Sequence, residues 1–191
     1  CTGTPEGEGT ANCTVMQGVV PPDDLFNAGC NTPPPAFSPI ACGETVCGEA
    51  FFLSDGGSLF RDTDWWIFHV DQQSLVTWSV TGEFITTLGI LDTNDGLCPA
   101  GGFFNAVAVG ACTNGQVQEC LAPGTYMLFV APNFGANTGL TFSCRNYEAT
   151  LTCQPPCILA CCVGETCIET DSFDCVQAQS GINLGVGSDC S

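Results

Sequence analysis

The sequence contains no lysine, only two arginines (Arg61 and Arg145) and a single histidine, His69, in 191 residues. Against these stand twenty Asp and Glu residues, for a formal charge of −18 at pH 7. A chain of that charge is repelled by phosphate backbones and by anionic lipid, so nucleic acid and anionic membrane surfaces are not expected partners. A nucleophile–base–acid triad would have to be built on His69 alone, and the chain has no nucleophile elbow or comparable motif. No apolar run approaches the roughly eighteen residues of a membrane span. A signal-peptide pattern is also missing, and the chain reads as an already processed form.

What the sequence has instead is cysteine. The sixteen are Cys1, Cys13, Cys30, Cys42, Cys47, Cys98, Cys112, Cys120, Cys144, Cys153, Cys157, Cys161, Cys162, Cys167, Cys175 and Cys190. That density falls at the edge of the disulfide-scaffold range and predicts pairing in an oxidising, extracellular place. Zinc is the rival use, suggested by the short spacing of Cys42 and Cys47 and by the cluster at Cys157, Cys161, Cys162 and Cys167. Zinc sites are usually built from C-x2-C pairs with matching partners, which favours disulfides here. A lipid anchor on Cys1 would leave fifteen thiols, an odd number, and parity argues against it.

Three regions follow from the pattern. Residues 1–41 form a Pro/Gly-rich arm without periodicity, which cannot bury enough apolar surface to fold alone. Its one β-competent patch holds Thr14, Val15, Met16, Val19 and Val20, the candidate assembly residues. Residues 42–153 carry the strands. In residues 61–80, Trp66, Phe68 and Val70 alternate with Trp65, Ile67 and His69. After a polar break, Val76, Trp78 and Val80 alternate with Leu75, Thr77 and Ser79. That period of two predicts two strands joined by a tight turn. Further strands are expected at 50–53, 84–91, 103–109, 115–121, 124–132, 138–143 and 147–152, with Tyr147, Ala149 and Leu151 facing inward. Glu83, Pro123 and Pro132 read as edge-blocking or strand-ending residues. Residues 154–191 are a cysteine-rich module whose six cysteines are even in number and able to close among themselves, with a helical turn expected near 170–178. The fold class is all-β: an antiparallel, jelly-roll-like sandwich with a stapled arm and a small cysteine-rich tail.

The segments RDTDWWIFHV and LAPGTYMLFVAP carry a family likeness. Asp62, Asp64, Trp65, Trp66 and Phe68, then Gly124, Thr125, Tyr126, Leu128 and Val130, resemble the strand motifs of the bacterial pre-peptidase C-terminal (PPC) domain over about residues 44–153. The tail, ACCVGETCIETDSFDC, resembles short cysteine-rich modules of secreted bacterial proteins. What the PPC resemblance implies is a non-catalytic, extracellular β-sandwich, and a calcium ion as its plausible cofactor.

Calcium is also the ion that the carboxylates suit. Its candidate ligands are Asp62, Asp64, Asp92, Asn94 and Asp95, whose spacing does not match an EF-hand and which turn chemistry explains equally well. Trp65, Trp66, Phe103, Phe104 and Phe134 are candidates for a sugar-binding platform, although core packing is the commoner use of such residues. The Asn12-Cys13-Thr14 triplet fits an N-glycosylation acceptor. The expected function is a secreted, non-catalytic structural subunit that self-associates into a filament, sheath or surface assembly through strand exchange by its arm. The alternative is a monomeric extracellular module binding carbohydrate or a cell surface.

Overall fold

The computed structural model describes residues 3–5, 26–31, 34–55, 58–92, 98, 102–133, 143–157, 159–170, 182–183 and 190. The architecture is all-β, with two sheets packed face to face. One layer is β1 (Thr4–Pro5), β3 (Thr45–Asp55), β11 (Ser143–Gln154), β6 (Ser74–Gly82) and β9 (Asn114–Leu121), in that spatial order, with β4 (Ser58–Arg61) folded back on β3. The other is β2 (Ser38–Pro39), β5 (Asp64–Val70), β10 (Gly124–Pro132), β7 (Thr86–Asp92) and β8 (Phe103–Val109). A small third sheet joins β12 (Leu159–Val163), β13 (Thr166–Thr170) and β14 (Ile182–Asn183). Pairing is antiparallel except for the two-residue strands β1 and β2, which run parallel to β3 and β5.

The period-two pattern places the core. Along β6, alternate residues from Ser74 to Gly82 are buried, and Val76, Trp78 and Val80 have no exposure. They meet Trp66, Phe68 and Val70 of β5, Leu88 and Ile90 of β7, and Leu128 and Val130 of β10 across the layer gap. Tyr147, Ala149 and Leu151 face inward from β11, as their alternation predicts. The Trp78 indole nitrogen donates to the Phe129 carbonyl across the sandwich at 3.3 Å, so the largest core side chain also links the two layers.

Two strands do not form the hairpin expected at residues 61–80. β5 and β6 are both present, but they lie in different sheets. The polar break at Asp71–Gln73 carries the chain from one layer to the other. Neighbouring Trp65 and Trp66 point to opposite faces, as alternation along a strand requires. Trp66 enters the core, whereas Trp65 builds a second cluster on the outer face with Leu91, Met127 and Phe129. Cys30 and Phe37 pack against that cluster. Gly29 adopts φ +54°, and the Trp65 ring occupies the space a β-carbon would need. The described residues of the arm from Phe26 onward are therefore part of the sandwich: Ala28 and Ile40 are buried, and the Trp65 amide donates to the Asn27 carbonyl at 2.8 Å.

Gly48 on β3 faces the Tyr147 ring, which fills the place of the missing side chain. Gly48→Ala is expected to lose about 1–3 kcal/mol, the usual range for overpacking a core. Adding Tyr147→Leu should cost less than the sum of the two single changes, because both act in the same space. Additive urea-midpoint shifts would contradict that contact.

The bridges bind the ends of these elements. Cys42–Cys153 clamps the chain before β3 to the end of β11, Cys30–Cys98 ties the arm to the chain beyond β7, and Cys167–Cys190 lies in the tail. Cys120–Cys157 departs from the expected self-contained tail, since it joins β9 to the chain just beyond β11. The Gln73 amide strengthens that junction by donating to the Cys157 carbonyl at 3.0 Å. Cys47 and Cys161 are also disulfide-bonded, while Cys112 and Cys162 are thiols. The patch at residues 14–20, most of the strand expected at 138–143 and the helical turn expected near 170–178 lie outside the described residues.

Candidate functional site

The carboxylates proposed as calcium ligands divide between two ends of one sheet. Asp64 stands opposite Val130 on β10, and Asp92 stands opposite Tyr126, four residues away along the same strand. At about 3.3 Å per residue, that is roughly 13 Å. Asp62 and Asp64 are buried within a junction rather than at an open loop. There the Asp62 amide donates to the Phe51 carbonyl, and the Thr63 hydroxyl accepts from the Asn31 amide at 2.7 Å and from the Trp65 indole at 3.2 Å. Asn94 and Asp95 lie outside the described residues. Among the described residues, no cluster of three metal-ligating side chains forms.

His69 emerges on the outer face of β5 opposite Thr125 of β10. Its Nδ1 lies 3.0 Å from the Thr125 hydroxyl and its Nε2 lies 3.5 Å from an Asp71 carboxylate oxygen. Hydroxyl, imidazole and carboxylate thus stand in a row, and His69 and Asp71 border an open groove of about 470 Å³ that Cys42, Gln72 and Pro155 also line. The His69 side chain is 58% exposed and that of Asp71 is 97% exposed. Water screens such a pair, so neither its attraction nor any activation of the hydroxyl is strong. This row is a cross-strand surface contact.

The aromatic candidates also separate. Trp65 and Trp66 are buried, and Phe134 lies outside the described residues. Phe103 and Phe104, at the start of β8, remain 47% and 45% exposed. Phe103 packs edge-on against Phe129, and Phe104 against Tyr126. Beyond them β8 stays largely open to solvent, and the turn Gly110–Thr113 presents the exposed Cys112 thiol at φ +55°. No Asp, Glu, Lys or Arg occurs from residue 96 to residue 118. In a chain this acidic, β8, the turn after it and β9 as far as Gln118 form a neutral, aromatic-bearing surface. Sequence reasoning picked out the strand and its two phenylalanines, but not that the whole strand forms an open edge.

Two carboxylates near this layer carry opposite pH dependence to a third. Burial pushes the Glu119 carboxyl above its ordinary range, with a partial offset from a hydrogen bond at Cys120. Burial raises Glu49 too, helped by the charge on Glu83. Glu83 itself is lowered, first by the Asn146 backbone amide that donates to it at 3.0 Å. A raised carboxyl binds its proton more tightly in the folded chain, so its contribution is fully present below the unfolded pKa and is lost as pH rises through the folded one. Glu83 contributes in the other direction, and its contribution disappears on acidification. Glu119→Gln is therefore expected to raise the melting temperature at pH 7 and to change nothing at a pH below the ordinary carboxylate range. An equal shift at both pH values would contradict burial as the cause.

These features define a class: a disulfide-stapled all-β sandwich with, among the described residues, a neutral strand at the edge of one sheet. No family model and no curated protein matches the chain. Among solved structures, it is similar to the pre-peptidase C-terminal domain of collagenase from Bacillus anthracis, with 18% identity and a TM-score of 0.44, over 64% of this chain and 100% of that one. Among the described residues, no helix is long and apolar enough to cross a membrane.

Proposed function

We propose that this chain is a secreted, non-catalytic structural subunit of an extracellular filament, sheath or surface assembly, held by disulfides and joined through its N-terminal arm. The carrying observation is where the arm is held. β1 lies against β3, and residues 27–29 lie against Trp65 beside β5, so the chain on either side of residues 6–25 is fixed at the same side of the sandwich. A segment with a β-competent patch, tied at both ends to one rigid edge, is suited to adding a strand to a neighbouring sheet. The bridges support the same reading, since Cys42–Cys153 and Cys120–Cys157 close the sandwich at strand ends and favour a subunit that holds its shape under load.

Val15→Asp with Val19→Asp tests the joining role and leaves every cysteine in place. Loss of assembly with an unchanged melting curve is expected; a doubly substituted protein that still assembles would show that the arm is not the joint.

A second reading, a monomeric module for carbohydrate or a cell surface, is favoured by the exposure of Phe103 and Phe104. Quenched or shifted aromatic signals on titration with polysaccharide, with the protein remaining a monomer, would support it over the structural one.

A further inference from the structure

We infer that the open edge of β8 is the acceptor that receives residues 14–20 of a second copy as an added strand. This rests on the assembly reading above and names the surface that reading leaves unspecified. Among the described residues, β8 is the last strand of its sheet and pairs only with β7. Toward β9 of the facing sheet there is no ladder among the described residues, and the one bond across is from a side chain, the Asn105 amide donating to the Gln118 carbonyl at 3.1 Å. An edge strand with free backbone groups is a template for another strand, and natural edges are commonly blunted with charge. Here the strand is FFNAVAV, β-prone and uncharged.

The charge pattern and the topology select a second copy as the occupant. Two molecules of charge −18 repel, and the approach costs least where both surfaces are neutral. Residues 96–118 are free of charged side chains, and so are residues 9–22 around the proposed donor. β1 and β2 mark one side of the sandwich, and β8 and β9 mark the opposite side. A donor whose flanking residues are fixed at one edge, joined to an acceptor at the other, makes a heterologous contact, which repeats head to tail and builds an open fibre rather than a closed dimer. The donor patch and β8 both span seven residues.

The test uses full-length oxidised protein, with Ala106→Lys and Ala108→Lys combined to charge two exposed positions of β8. Sedimentation is expected to show polymer for the wild type and monomer for the variant, with matching melting curves. A synthetic peptide of residues 14–22 is expected to bind dilute wild-type monomer, to bind the variant at least tenfold more weakly, and to slow maleimide labelling of Cys112. A variant that polymerises like the wild type, or a peptide that does not bind wild-type monomer, overturns the acceptor while leaving assembly intact. Wild-type protein that stays monomeric with Cys112 already slow to label means that the chain's own arm covers β8, which overturns the second copy as occupant. A wild type that stays monomeric with Cys112 freely labelled sinks the assembly reading itself.

Discussion

Replacing both Cys42 and Cys153 by serine is expected to lower the stability of the oxidised protein by about 4 kcal/mol. The bridge spans 111 residues of sequence, and a loop of that size alone would contribute nearer to 5 kcal/mol by restricting the unfolded chain. The unfolded chain is not otherwise free, however. Cys30–Cys98 and Cys120–Cys157 provide a shorter covalent route between the two ends, so the loop that Cys42–Cys153 closes is effectively smaller. Loop entropy grows only logarithmically, which is why the reduction is modest. Urea unfolding should show the loss mostly as a lower midpoint, together with a somewhat larger m-value from a more expanded unfolded state. Removing Cys167–Cys190 should leave the sandwich transition in place, because that bridge closes 23 residues within the tail. Equal losses from the two removals would contradict the view that Cys42–Cys153 fastens the sandwich as a whole.

Trp78→Ala is the second large effect, with an expected loss of about 3–5 kcal/mol. Trp78 has no exposed surface and sits among the inward residues of both layers. Its removal opens a cavity between two sheets, each kept stiff by its own hydrogen-bond ladders, so collapse can refill little of it. It also takes the indole donor from the Phe129 carbonyl. Trp78→Phe keeps most of the apolar volume and loses that donor, and it should cost well under half as much. If the two substitutions cost the same, the hydrogen bond rather than the packing dominates at this position.

The strands were legible wherever a strand carries its own period. Residues 103–109 and 124–132 are β8 and β10 as their alternation and bounding glycines and proline predict. The burial of Val76, Trp78 and Val80, and of Tyr147, Ala149 and Leu151, follows from the same rule. What a period of two cannot specify is the partner. A three-residue polar break suits a hairpin and a crossover equally well, and Asp71–Gln73 proved to be a crossover. Glu83 and Pro132 do end strands, yet they lie beside β11 and at the end of central β10 rather than on edges. The burial of Ala28 and Ile40 escaped notice because the prolines and glycines around them give no period; the Gly29 contact with Trp65 and the pairing of β2 with β5 hold these residues on the sandwich, which no local pattern records. The same reason explains the carboxylates. Asp62, Asp64 and Asp92 share a chemistry, but only the sheet register shows that β10 separates them.

The site was legible in part. Phe103 and Phe104 were candidates on chemistry alone, whereas their place on the outermost strand depends on the order of the sheet. The neutrality of residues 96–118 could be read directly from the sequence, but it acquires meaning only once those residues form an open edge. His69 shows the reverse case, in which a lone histidine invites a catalytic reading and the fold puts it on a wet surface between Thr125 and Asp71.

Electron microscopy of the purified, oxidised protein, with sedimentation of the same sample over a range of concentrations, tests the structural role most directly. Regular filaments or sheets, growing with concentration and absent from the Val15→Asp, Val19→Asp variant, are the result this account requires. A particle of about 20 kDa at every concentration, with nothing ordered in the images, would contradict it.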